Sequence, residues 1–278
     1  MKTNFGKGLL AFSEGKYQQA FTFFEKSHKE NIPPDKHLTL YNMGLSLIFF
    51  EDLVSAEDYF LKALRYIPNH SDSLHWIAYI NFKKGQLSTA QDHYLSSLKS
   101  NPRSQTSING CIHFFIEQGL NGEEINVFLN KNGVQLKENE NFYLKLADSV
   151  NVSIDSNISF SLIGIDPRST MQKSINNYGC YEPLMVKKIL KNVRETDIVY
   201  DIGAHIGYYS SIFNKVTKSK EVVSLEPDFY SSNLIKRNTN ERGIVVNKFI
   251  GSELSYNTTT LNDLSSMLNL EPSVIKMD

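Results

Sequence analysis

The chain has little of what would mark several common classes. Only two cysteines occur in 278 residues, Cys111 and Cys180, far apart and outside any CxxC or His-rich segment. That argues against a disulfide framework and against a structural zinc site, and a reducing cytoplasm is the expected compartment. A net charge is missing too: 29 Lys and Arg against 30 Asp and Glu leave a formal −1, so no global field recruits nucleic acid or an anionic membrane. No apolar run approaches the roughly 20 residues of a membrane span. The apolar LLAF near the start is too short for a signal core and is soon followed by Glu14. What is there suffices for packed cores: 41% hydrophobic and 21% charged residues, in a chain long enough for two domains.

The first hundred residues repeat. Gly8, Gly44 and Ala78 recur at steps of 36 and 34, as do Ala20, Ala56 and Ala90. Phe24, Phe60 and Tyr94 follow the same steps, with Ser27, Ala63 and Ser97 behind them, and Pro68 and Pro102 lie 34 apart. These spacings resemble the tetratricopeptide repeat, whose unit is two packed helices. Small residues are required where paired helices approach closely, and an aromatic one turn beyond the alanine fills the gap to the next unit. The aromatics are therefore expected in the core, not in a site. Gly15 and Gly85 fall at the turns within the first and third pairs, Glu51 stands in that place in the second, and two extra residues are expected around Pro33 and Pro34. Residues 3–102 are read as three repeats forming six antiparallel helices. The concave face of such an array is the expected ligand surface, for a protein or peptide.

Residues 103–149 are read as a helical cap and connector, with Asn121 and Glu124 forming a capping box and NENFYLKLADS a last helix. From Val150 the pattern changes. NVSID and ISFSLIGID read as a β-hairpin turning at Ser156 and Asn157, and YGCYEPLMVKKILKNV as a helix. DIVYD is a strand ending at Asp201, followed by a glycine turn and a helix from near Ile206. EVVSLE is a strand ending at Glu226, then come a helix over DFYSSNLIKRNTNER, a strand IVVNKFI, a helix TTLNDLSSML and a strand SVIKMD. Strands alternating with helices predict a parallel, doubly wound sheet over 150–278, of order 3-2-1-4. Ligands of such sheets bind beyond the strand C-termini, where Asp201, Glu226 and Asp278 fall.

DIGAHIG admits two ligands. A dinucleotide fold needs G-x-G-x-x-G so that backbone can approach a diphosphate, but His205 stands where its second glycine belongs. A ligand without phosphate suits D-x-G-x-x-x-G better. Asp201 can hold an ammonium directly or through water, Gly203 lets the chain pass close, and Glu226, 25 residues on, can accept from two ribose hydroxyls.

The run from Tyr178 to Asp278 resembles the FkbM family of methyltransferases through YGCYEP, VYDIGAHIGYYS, VVSLEPD, the LIKRN helix, TTLNDL and IKMD, in that order. The resemblance covers about residues 155–278 and implies a class I methyltransferase, Rossmann-like fold that uses S-adenosylmethionine to methylate a hydroxyl oxygen of a sugar or secondary metabolite. By that resemblance Asp201, Gly203 and Gly207 form the cofactor loop and Glu226 is the ribose acid. Tyr181 and Glu182 lie at the rim of the pocket, and Gly251 and Ser252 approach the adenine. His205 shapes the loop. Asp278 matches the first acid of the family's DxEG element and is the one candidate base; no metal is implied.

The family's later strands are missing after Asp278, so the domain is expected to be incomplete after its fourth strand, a fragment of a longer reading frame with little turnover of its own. Two rivals remain at this point: a protein-binding scaffold whose second domain is inert, and a nucleotide-dependent oxidoreductase, which the displaced glycine disfavours.

Overall fold

The computed structural model describes residues 3–30, 36–49, 52–136, 138–217, 221–252 and 258–278, with the side chains of 138–142 left aside. The chain divides into two compact units, Met1–Phe114 with Val127–Leu136 and Phe115–Asn126 with Lys137–Asp278.

In the first unit the repeat becomes helix pairs: α1 (Asn4–Ser13) with α2 (Tyr17–Lys29), α3 (Lys36–Ile48) with α4 (Leu53–Tyr66), and α5 (Ser71–Lys83) with α6 (Leu87–Ser100). Helices of a pair lie against each other, and α2 packs on α3 and α4 on α5, so the pairs stack in chain order. The stack is a tetratricopeptide-like helical repeat. Its recurring small residues do what their positions require. A Cβ built on Gly8 would lie 2.5 Å from the Phe24 ring, and one on Gly44 2.8 Å from the Phe60 ring. Ala20, Ala56, Ala90, Phe24, Phe60 and Tyr94 are all fully buried. Phe24 also meets Met43 of the next pair, the inter-unit filling expected of it. The turns at Gly15 and Gly85 both run at φ 73°. Glu51 and the connection through Pro33 and Pro34 lie outside the described residues. Helices α7 (Gln105–Glu117) and α8 (Gly122–Lys131) follow.

In the second unit the capping box forms as expected: Asn121 N donates to Glu124 Oε2 at 2.9 Å, and Glu124 N to Asn121 Oδ1 at 3.0 Å. Glu138–Ala147 winds as a 3₁₀-helix where an ordinary helix was expected. Strands β1 (Val150–Ser153) and β2 (Ser159–Leu162) pair antiparallel, and Asp155 Oδ1 closes their turn by accepting from the N–H groups of Asn157 and Ile158. Helix α9 (Thr170–Tyr178), capped by Ser169, was not foreseen: TMQKSINNY is short and mostly polar. Helix α10 spans Pro183–Asn192 with proline in its first turn.

The rest builds the sheet: β3 (Val199–Ile202), α11 (Tyr208–Val216), β4 (Val222–Leu225), α12 (Phe229–Asn238), β5 (Ile244–Val246), β6 (Phe249–Ile250), β7 (Thr258–Thr259), α13 (Leu261–Leu268) and β8 (Val274–Met277). Four strands run parallel in the order β5-β4-β3-β8, the order expected. Strands β3 and β4 are buried throughout, which explains their mostly apolar character, interrupted only by Asp201 and Ser224. At the edge, β8 alternates, leaving Ile275 and Met277 45% and 60% exposed. The strand expected over IVVNKFI is broken in two. Asn247 Nδ2 donates to the carbonyls of Glu226 and Pro227, and Lys248 N turns back onto Val246 O, so the chain leaves the sheet and β6 pairs instead with β7.

Candidate functional site

The C-terminal ends of β3, β4 and β8 share one edge of the sheet, and the predicted acids meet there. Backbone geometry makes the meeting possible. Gly203 takes φ 75°, and its N–H donates to Leu225 O, bending the chain over the end of β4. A Cβ at Gly203 would lie 3.4 Å from Cβ of Asp278, so the glycine leaves the space between the two strand ends open. Gly207, at φ 84°, starts α11 and packs against the backbone of Ile235, where a Cβ would come within 3.2 Å of its Cα. Its role is close packing of α11 on α12. The helix therefore begins at Tyr208, two residues later than expected.

Glu226 follows β4, is 8% exposed, and has both carboxylate oxygens held. Oε2 accepts from His205 N at 2.9 Å and Oε1 from Asp228 N at 2.8 Å. Each oxygen keeps a lone pair for a further donor. His205 is exposed at φ 51°, and its backbone rather than its imidazole serves the loop.

Asp201 has no exposed surface. Oδ2 accepts from Ser210 Oγ at 2.6 Å, Ser210 in turn accepts from Ser224 Oγ at 2.7 Å, and Oδ1 faces Lys276 Nζ at 3.4 Å. The last contact is long for a hydrogen bond, and Oδ1 has no better partner. Burial pushes the Asp201 carboxyl above the usual range, opposed chiefly by the Lys276 charge. The same ammonium lies 2.6 Å from Asp278 Oδ2 and 4.6 Å from the centroid of the Tyr209 ring. Asp278 itself stands at the mouth, its side chain 65% exposed.

Tyr181 and Glu182 are held to the first turn of α11. Tyr208 Oη accepts from Tyr181 N and donates to Tyr181 O, both at 2.9 Å, and Tyr209 Oη donates to Glu182. Burial first, and the nearby Glu182 carboxylate second, push the Tyr209 hydroxyl upward, so it stays a donor. Glu182 adopts φ 47°, a left-handed conformation that is costly for a side chain with a Cβ and that turns it toward Tyr209. Gly251 and Ser252 lie after β6, where Gly251 N donates to Thr259 O; among the described residues no hydrogen bond joins them to the Asp201 loop.

The structure thus brings together Asp201, Gly203, Glu226, Tyr181, Glu182 and Asp278. The sequence reading had not singled out Lys276, Tyr208, Tyr209 or Ser210. Lys276 and Asp278 are two apart in a strand and so share a face, a signal present in IKMD. A separate cavity of about 480 Å³ opens near the C-terminal turns of α11 and α12, lined by Asn214, Lys215 and Arg242 among others, and holds none of the predicted site residues. Among the described residues no helix is long and apolar enough to cross a membrane, and no group of three His, Cys, Asp or Glu is placed to hold a metal.

No protein-family model matches the chain, and no curated protein does. Among solved structures, the first TPR of Spaghetti (RPAP3) bound to an HSP90 peptide is 17% identical over 42% of this chain and 91% of its own, with a TM-score of 0.38. The second TPR domain of human RPAP3, in complex with an HSP70 peptide, is 16% identical over 41% of this chain and 92% of its own, with a TM-score of 0.37.

Proposed function

We propose that the α/β unit is a Rossmann-like, S-adenosylmethionine-dependent methyltransferase domain of the FkbM type that transfers a methyl group to a hydroxyl oxygen of a sugar or secondary metabolite. The observation that carries this reading is the buried Glu226 carboxylate at the end of β4, locked by two backbone N–H groups beside the Gly203 turn. A fixed acid in that place suits a vicinal diol, because both oxygens retain acceptor capacity and neither has to be reoriented. The surroundings suit a cation as well. Asp201, Asp278, Glu182 and Glu226 converge on one edge with Lys276 among them, which favours a ligand bearing an ammonium and a sulfonium.

In this assignment Glu226 holds the ribose, the Gly203 turn makes room for the amino-acid end, Tyr181 and Glu182 form the rim, and Gly251 and Ser252 flank the adenine. When bound, the cofactor supplies a methyl group already activated by its sulfonium. The protein's task is then to align the acceptor oxygen in line with that methyl and to take up the hydroxyl proton. Asp278, exposed at the mouth, is the base.

Calorimetry of the 278-residue chain with S-adenosylmethionine and with NAD tests the reading. Binding of the first and not the second is expected, and preference for NAD would replace it with the oxidoreductase alternative. For the first unit we propose protein or peptide binding on the face of the stacked helix pairs, since arrays of this kind present an extended concave surface. In that role the chain would serve as a scaffold whether or not the second unit turns over.

A further inference from the structure

Lys276 is a charged group at the centre of the site to which the proposed reaction gives no task. Its side chain is 10% exposed, and its ammonium has three directions in which to donate. All three are taken up inside the protein: Asp201 Oδ1 at 3.4 Å, Asp278 Oδ2 at 2.6 Å, and the face of Tyr209 with 4.6 Å to the centroid. A lysine so used has little left to offer a ligand. It nevertheless touches residues on three elements, β3, β8 and α11, and through the Tyr209 hydroxyl its reach extends to Glu182 at the start of α10.

We infer that Lys276 is the positioning residue of this site, a single cation that pairs with the buried Asp201 and tethers Asp278 and Tyr209 so that the mouth and the rim hold one arrangement. The inference rests on the methyltransferase reading only for what the arrangement holds; the ion-paired unit itself is geometry. The register of the sheet supports it. Asp201 and Lys276 are direct partners across the β3–β8 ladder, so their side chains rise on the same face, and Asp278 joins them by strand alternation. The groups facing Asp201 are Lys276 and Asp278 from β8, Ser210 and Tyr209 from α11, and Ser224 of β4 through Ser210. Lys276 is the sole cation among these described groups.

Burial alone would drive Asp201 toward its neutral form, and the lysine opposes that. The sign follows. A carboxyl whose folded-state value is raised contributes stability that is complete below its unfolded value and is lost as pH rises through the folded value. Removing Lys276 raises the folded value further, so stability should go on falling to a higher pH than in the unaltered protein.

The experiment compares the full chain with Lys276→Met, Lys276→Arg and the double variant Lys276→Met with Asp201→Asn, following thermal unfolding from pH 4 to 8 and S-adenosylmethionine affinity by calorimetry. Lys276→Met should lower the unfolding midpoint by roughly 10 °C at pH 8, the usual consequence of stranding a buried charge, and by less at pH 4. The double variant should recover most of that loss and lose the extra pH dependence, and Lys276→Arg should follow the unaltered chain. Cofactor affinity should fall roughly tenfold or more in Lys276→Met and return with arginine. A pH profile for Lys276→Met parallel to that of the unaltered chain, or a double variant no more stable than the single one, would overturn the inference. Failure of the unaltered chain to bind S-adenosylmethionine would instead sink the methyltransferase reading, with the pH profiles still deciding what Lys276 does.

Discussion

Replacing Gly44 by alanine sets two well-characterised effects against each other. Gly44 lies inside α3, where alanine is favoured over glycine by about 1 kcal/mol through the entropy of the unfolded chain. Its new Cβ, however, would lie 2.8, 3.0 and 3.0 Å from three atoms of the Phe60 ring. That ring is fully buried, with Tyr41 and Trp76 around it at centroid distances of 5.8 and 6.5 Å, so it has nowhere to retreat without moving the helix pair. Overpacking of this kind costs ~1–3 kcal/mol, so the net expectation is a loss of ~1 kcal/mol. Gly8→Ala should lose more, since its Cβ would approach Phe24 to 2.5, 2.7 and 2.9 Å. Gly6→Ala is the control, with only Thr3 Oγ1 nearby at 3.4 Å, and should be neutral or stabilising. Urea unfolding followed by helical circular dichroism gives the order through the midpoints at constant slope. Phe60→Leu, which makes room for the methyl, should then cost less when combined with Gly44→Ala than when made alone, a coupling that a double-mutant cycle measures. Gly8→Ala and Gly44→Ala both as stable as the unaltered chain, or an absence of coupling, would refute close helix contact as the reason for these glycines.

Three further outcomes are expected. Burial holds the His75 imidazole down at about 4, so the folded state resists protonation; stability present above pH 6.5 should be lost as pH falls from there through about 4, by about 3 kcal/mol. His75→Leu should flatten that part of a pH series of urea unfolding, and an unchanged slope would exclude His75 as its source. Glu226→Ala should weaken S-adenosylmethionine binding by about 1.5–3 kcal/mol, roughly ten- to a hundredfold, through loss of a charged acceptor, and equal affinity in calorimetry would remove Glu226 from the site. Tyr208→Phe leaves the backbone N–H and C=O of Tyr181 without their shared partner, which should cost ~1–3 kcal/mol in urea unfolding and no measurable amount if water replaces the hydroxyl.

The residues legible in advance were those whose constraint is local. Gly8, Gly44, Ala20, Ala56 and Ala90 recur because two helices separated by a short turn must pack closely, and a period of 34 to 36 residues records that requirement directly in the sequence. The buried strands β3 and β4, the glycine turn between β3 and α11, and the capping box at Asn121 are equally short-range statements, readable from neighbouring residues. Where local signals conflict or fade, the structure departs from them: α9 is short and polar, Glu138–Ala147 winds as a 3₁₀-helix, and Asn247 draws the third strand apart by bonding to carbonyls some twenty residues earlier.

The electrostatics of the site, by contrast, was decided by folding in three dimensions. The amino-acid order placed Asp201, Glu226 and Asp278 at strand ends, but it could not show that Lys276 stands opposite Asp201, because that pairing depends on the register of β3 and β8, which are more than seventy residues apart along the chain. Nor could it show that Asp201 is sealed from solvent while Asp278 is open, although both are acids at strand ends. The difference comes from position in the sheet: β3 is covered by strands on both sides and by α11, whereas β8 lies at the edge. A carboxylate's charge, reach and role follow from the groups and the water around it, and these are set by contacts between distant parts of the chain.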